Sequence, residues 1–122
     1  MLNAIQHAIA GRWNCHTIEL PKMKCDYGLV RDGKIEAFAQ IMRVLHDQAD
    51  HSTVRVPVHR ITDLHAISQA TAKPLFIVAQ FEDAISWHRV AAGYETEVTE
   101  TGVNFLIPVD DFQALYVRNN TG

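Results

Sequence analysis

The stretch CDYGLVRDGKIEAFAQIMRV, Cys25 to Val44, decides the fold. Asp32-Gly33 at its centre is a two-residue turn signal, because both residues tolerate positive φ at low cost. The segments on either side therefore read as antiparallel strands. In KIEAFAQIM, Ile35, Ala37, Ala39 and Ile41 fall on one face, and Glu36, Phe38, Gln40 and Met42 on the other. Apolar residues on both faces predict a central strand covered on both sides.

Outward from the hairpin, the chain alternates between helical and extended patterns. Leu2, Ile5, Ile9 and Trp13 recur at helical steps, and Gly11 marks the fraying end of that helix. CHTIEL is a short strand stopping at Pro21. After the hairpin, LHDQADHS reads as a loop, and TVRVPV as a short strand that Pro57 ends or confines to an edge. HRITDLHAISQATAK places Ile61, Leu64 and Ile67 on one helical face and ends at Pro74. LFIVAQF and ISWHRVA are neighbouring strands with EDA as their turn. AGYETEVTETG is a loop or an edge hairpin, and VNFLIP a last strand. VDDFQALYV reads as a short helix N-capped by Asp110. The order predicts an α/β (α+β) fold in which a central mixed β-sheet is flanked by helices, a single domain over residues 1–122.

The bulk numbers set limits on function. The chain has 122 residues, 48% hydrophobic and 20% charged, an ordinary globular balance. A net charge of −3 gives no global basic field, so a nucleic-acid site has to be a local patch. Cys15 and Cys25 allow one disulfide but make no disulfide framework, and a reduced intracellular chain is the preferred reading. The N-terminus lacks the pattern of a signal peptide, and PLFIVAQF is too short to cross a bilayer. A soluble protein without membrane contact is the expectation.

The element order, with an acid opening one strand and a polar pair on the next, resembles the PD-(D/E)xK nuclease superfamily. It is most similar to the compact resolvase-like and restriction-endonuclease-like members, over roughly residues 2–90. The blocks that carry the resemblance are CDYGLVRDGKIEAFAQIMR, VPVHRITDLHAIS and KPLFIVAQFEDAISWHRV. In that family the hairpin holds Mg²⁺, a hard cation that takes oxygen ligands. The metal lowers the pKa of an attacking water, and a lysine two residues beyond the second acid stabilises the developing charge.

The resemblance puts the first acid at Asp26, the second at Gln40 and the lysine at Met42. Asp26 and Gln40 would be the metal ligands. An acid that some members carry in the first helix falls nearest Gln6. The frame is thus kept while charge is missing from it. Gln has an amide oxygen but no charge, and Met has neither charge nor a donor. Losing one preorganised stabiliser costs about 10²–10³ in rate. The resemblance therefore implies a nuclease fold without catalysis, serving as a binding, structural or self-associating module of the kind a phage or mobile element carries. Its setting would be the cytoplasm of a bacterial host.

The alternative is a Mg²⁺-dependent DNA endonuclease or Holliday-junction-resolvase-like enzyme, either divergent or mutationally inactivated. Glu36, on the same predicted strand face as Gln40, would then be the substitute acid. The plainer reading makes Glu36 a solvated charge, Asp26 a strand-edge acid, and Gln40 and Met42 ordinary packing. DNA contact falls to Arg31, Lys34, Arg43 and Arg60, with Arg55 beside them. A protein partner is the other option. Compact relatives often pair, so a homodimer through FIVAQF and ISWHRV is expected. Among the seven histidines, His46 and His51 flank Asp47 and Asp50, residue types that suit zinc, but the spacing fits no strong metal signature and reads as a solvated loop.

Overall fold

The structure, a computed structural model, describes residues 4–20 and 25–117. Among these residues the chain folds into two helices and two sheets. Helix α1 (Ala4–Trp13) leads into strand β1 (His16–Glu19), then β2 (Tyr27–Arg31) and β3 (Lys34–Arg43). Strand β4 (Thr53–Pro57), helix α2 (Val58–Thr71), β5 (Leu75–Gln80) and β6 (Ala84–Arg89) follow. The chain closes with β7 (Glu95–Thr99), β8 (Gly102–Pro108) and β9 (Gln113–Val117).

The first sheet has the order β1-β2-β3-β5-β6-β9, with β3 and β5 parallel and the remaining pairs antiparallel. It is the expected mixed sheet. Helix α1 covers one face, where Ile5 and Ile9 pack with Leu29, Ala37, Ala39 and Val78. Helix α2 covers the other, where Leu64 packs with Phe38 and Leu75. Burying each such side chain contributes roughly 1.5–3 kcal/mol. The predicted helical face of α1 forms, although Leu2 and Pro21 lie outside the described residues. Its end is set by Asn14 in the left-handed region (φ 50°) rather than by Gly11, and α2 likewise stops at Ala72 (φ 56°), ahead of Pro74.

The hairpin turns at Asp32 (φ 53°) and Gly33 (φ 75°), so both central residues take the expected positive φ. Its strands slip once. Leu29 pairs with Ala37 but Val30 with Ile35, which leaves Glu36 as the extra residue of a bulge. Strict alternation therefore fails at this point, and Ile35 packs with Phe38 on the α2 face instead of sharing a face with Ala37. Gly28 allows the close approach that this requires: a Cβ there would stand 3.2 Å from Ile18 and 3.4 Å from Ile35.

Two elements correct the sequence reading. Residues 109–117 form no α-helix. Val109–Asp111 is a single 3₁₀ turn, and Gln113–Val117 extends as β9 along β6. Strand pairing at the sheet edge overrides the local signal of two aspartates ahead of an apolar run. The second correction is a three-stranded sheet, β4-β8-β7, on the α2 side. Its Val54, Val56 and Ile107 pack with Ile61 of α2 and with Ile77 and Ala79 of β5. The expected dimer surface also changes. Strands β5 and β6 are interior to the first sheet, each paired on both sides, so neither offers an open edge to a second copy.

Candidate functional site

The register of the hairpin assembles the site. Tyr27 pairs with Ala39, so one further step along the ladder sets Asp26 across from Gln40. Asp26 Oδ2 accepts a hydrogen bond from the Ile41 N–H at 2.9 Å, which fixes the carboxylate against β3. Both residues line one cleft of about 550 Å³. Glu19 lines it from the end of β1, and the first turns of α2 bring His59, Arg60 and Asp63.

Beside Asp26, Cys25 is 4% exposed and donates from Sγ to the Ala39 carbonyl at 3.3 Å. Burial pushes its thiol up to about 11, and the Asp26 charge acts in the same direction. It is a packed group rather than a nucleophile. Burial also raises the Cys15 thiol, and both cysteines are free.

Gln40 carries an unmet demand. Its Oε1 is buried and has no hydrogen-bond partner among the described residues. Oxygen donors of this type suit Mg²⁺, which is held by one or two carboxylates together with water and phosphate, but the pair supplies a single formal charge. Among the described residues no three His, Cys, Asp or Glu side chains stand together in a way that would hold a metal ion. Asp26 and Gln40 by themselves make no dedicated all-protein Mg²⁺ cage.

Met42 lies two residues further on and does not line the cleft. It is partly buried against the core that the second sheet builds with α2, Val54, Val56 and Ile61 included. Glu36 does not reach the cleft either. The bulge isolates it on an exposed stretch near the turn. Gln6 belongs to the α1 face, where its Nε2 donates to Thr17 Oγ1 at 3.1 Å.

The four basic residues expected to meet DNA do not form one patch. Arg60 is in the cleft. Arg31 and Lys34 pair across the hairpin turn, and the Arg31 guanidinium is spent on the carbonyls of Trp13 and Asn14. Arg43 lines a second groove of about 300 Å³ with Met42, His46, His51 and Arg55. Arg55 pairs with Glu97 at 2.5 Å. Glu19, His59 and Asp63 are polar cleft residues that sequence reasoning did not place; the last two come from α2. Their signal is the polar 59, 60, 63 spacing between apolar Ile61 and Leu64, which puts one flank of α2 toward the hairpin.

Comparison with known proteins follows the same frame. A family model described as phage putative PDDEXK endonuclease matches residues 2–104. Among solved structures, a Holliday junction resolvase, Hjc, from the archaeal hyperthermophile Archaeoglobus fulgidus superposes with a TM-score of 0.54 at 11% sequence identity, covering 95% of this chain and 93% of its own. At that identity the likeness is one of fold. No curated protein matches the chain in sequence. Among the described residues no helix is long and apolar enough to cross a membrane.

Proposed function

Because the chain belongs to the phage putative PDDEXK endonuclease family, we propose that it is a nuclease-like module that binds DNA without cutting it. The observation that carries this reading is the fate of the lysine position. Met42 is packed into the core between the sheets, and Gln40, across from Asp26, brings no charge. A phosphodiester in this cleft would meet Arg60 and His59 from α2, and among the described residues no cation lines it beside the β3 pair. Arg60, Arg43 and Lys34 are the phosphate contacts, and each contact neutralised adds to the salt dependence of binding. Self-association as a homodimer, through a surface other than β5 and β6, and a phage-encoded life in the bacterial cytoplasm belong to the same proposal.

The test has two arms. Fluorescence anisotropy with duplex DNA, and with the four-way junction that the name of the Archaeoglobus resolvase suggests, should show binding that weakens steeply with salt and weakens further in Arg60→Ala. Gel assays with Mg²⁺ and Mn²⁺ should show intact DNA. If no DNA binds at low salt, the binding role is wrong and a structural or self-associating role remains. Light scattering gives the number of chains, two on this account.

One observation favours a second reading, a divergent Mg²⁺-dependent nuclease. The bare Oε1 of Gln40 beside Asp26 is an acceptor that a ligand or ion would satisfy. Calorimetric titration with Mg²⁺ separates the two readings, since the first expects no heat of binding.

A further inference from the structure

The loop after β3 holds two imidazoles in contact, away from the cleft. The ring centroids of His46 and His51 are 4.2 Å apart at an interplanar angle of 63°. The loop between them is tied down along its length. Glu82 N–H donates to the His46 carbonyl at 3.0 Å, and Val109 N–H to the Ser52 carbonyl at 2.9 Å. Gln48 N–H donates to Asp83 Oδ1 at 2.9 Å, and the Ser86 hydroxyl to Gln48 Oε1 at 2.7 Å. Rings presented by an anchored loop lose little freedom on binding a ligand.

The tautomer of His46 is set as well. Its Nδ1 lies 2.7 Å from the Asp47 carbonyl, which only accepts, so Nδ1 carries the proton and Nε2 keeps its lone pair in the neutral ring. A backbone carbonyl on the far nitrogen is how proteins orient a metal-binding imidazole. His51 is exposed, and both rings open on the second groove. The local field favours a cation. Asp47 and Asp50 lie in the loop itself, and Asp83 is tied to it through the Gln48 N–H. Across the groove, Arg55 is offset by Glu97, while Arg43 opposes.

We propose that His46 and His51 are a two-imidazole site for a divalent transition-metal ion of the zinc type, with water completing the coordination shell. Imidazole suits Zn²⁺ and Cu²⁺, and the two nitrogens would leave the remaining positions to water. Nitrogens about 2.0–2.1 Å from a shared ion put the ring centroids roughly 5 Å apart, against 4.2 Å in the present contact. The site uses no residue of the Asp26 cleft, so it stands or falls separately from the DNA-binding reading.

Calorimetric titration of the full chain with Zn²⁺ is the test, with Cu²⁺ electron paramagnetic resonance as the structural readout. One ion per chain is expected, with affinity falling at least about tenfold in His46→Ala or His51→Ala and unchanged in His65→Ala. The Cu²⁺ spectrum should show coupling to two imidazole nitrogens, lost in the double variant. Absence of binding up to about 1 mM, or an affinity and spectrum unchanged in the double variant, overturns the site.

Discussion

Gln40 and Met42 occupy alternate positions of β3 on the same side of the sheet, yet their surroundings are opposite. Gln40 opens onto a cleft bounded by Asp26 and the first turns of α2, with a bare oxygen. Met42 is partly buried against the core of Val54, Val56 and Ile61, and its exposed part lines the second groove. A lysine at this position would start from a site that faces the second groove and its core rather than the Asp26 cleft. The loss of the cation is thus tied to how the two sheets pack, whereas the Gln40 end keeps an open site.

Four measurements would break or sharpen that contrast. The largest effect is expected at Met42. Met42→Lys should cost about 2–4 kcal/mol in urea unfolding, since a charge enters apolar surroundings. Met42→Leu should cost under about 1.5 kcal/mol. A lysine tolerated without loss would mean that the position is open to solvent and the contrast is false.

The floor of the cleft has its own signature at high pH. The Cys25 thiol is raised from 9.0 to about 11, so the fold favours the protonated form. The stability this gives is fully present below about pH 9 and is lost as pH rises toward 11. A shift of that size corresponds to about 2–3 kcal/mol. Unfolding midpoints across that range should fall in the native chain and stay flatter in Cys25→Ala.

At Gln40 the effect is smaller and its sign is informative. Removing a buried acceptor without a partner should be neutral or stabilising by about 1 kcal/mol in Gln40→Leu. A loss above about 2 kcal/mol would show that the oxygen is satisfied after all. The smallest effect belongs to the second groove. Arg55 and Glu97 form an exposed ion pair, so Arg55→Ala should cost under about 1 kcal/mol, and added salt should erase the difference.

Much of this was legible in the sequence because it rests on local chemistry. Asp32-Gly33 admits positive φ, and that turn together with the one-residue bulge at Glu36 sets Asp26 across from Gln40. What local pattern cannot carry is long-range pairing. Val109–Val117 holds aspartates ahead of an apolar run and reads as a capped helix, but β6 was short of a partner and took the segment as a strand. The bulge at Glu36 shows the same limit on a smaller scale. Period-two alternation assigned Glu36 to the face of Gln40, and one slipped pair removed it from the site. His59 and Asp63 were visible as residues but not as cleft residues, because their place depends on how α2 lies over the hairpin.

The central proposal is that the Asp26 cleft does not cut DNA because Gln40 and Met42 carry no charge. Cleavage of supercoiled plasmid and four-way-junction DNA in Mg²⁺ or Mn²⁺, by the native chain and Asp26→Ala side by side, tests it most directly. The account predicts intact DNA from both. Metal-dependent cleavage by the native chain that disappears in Asp26→Ala would contradict it.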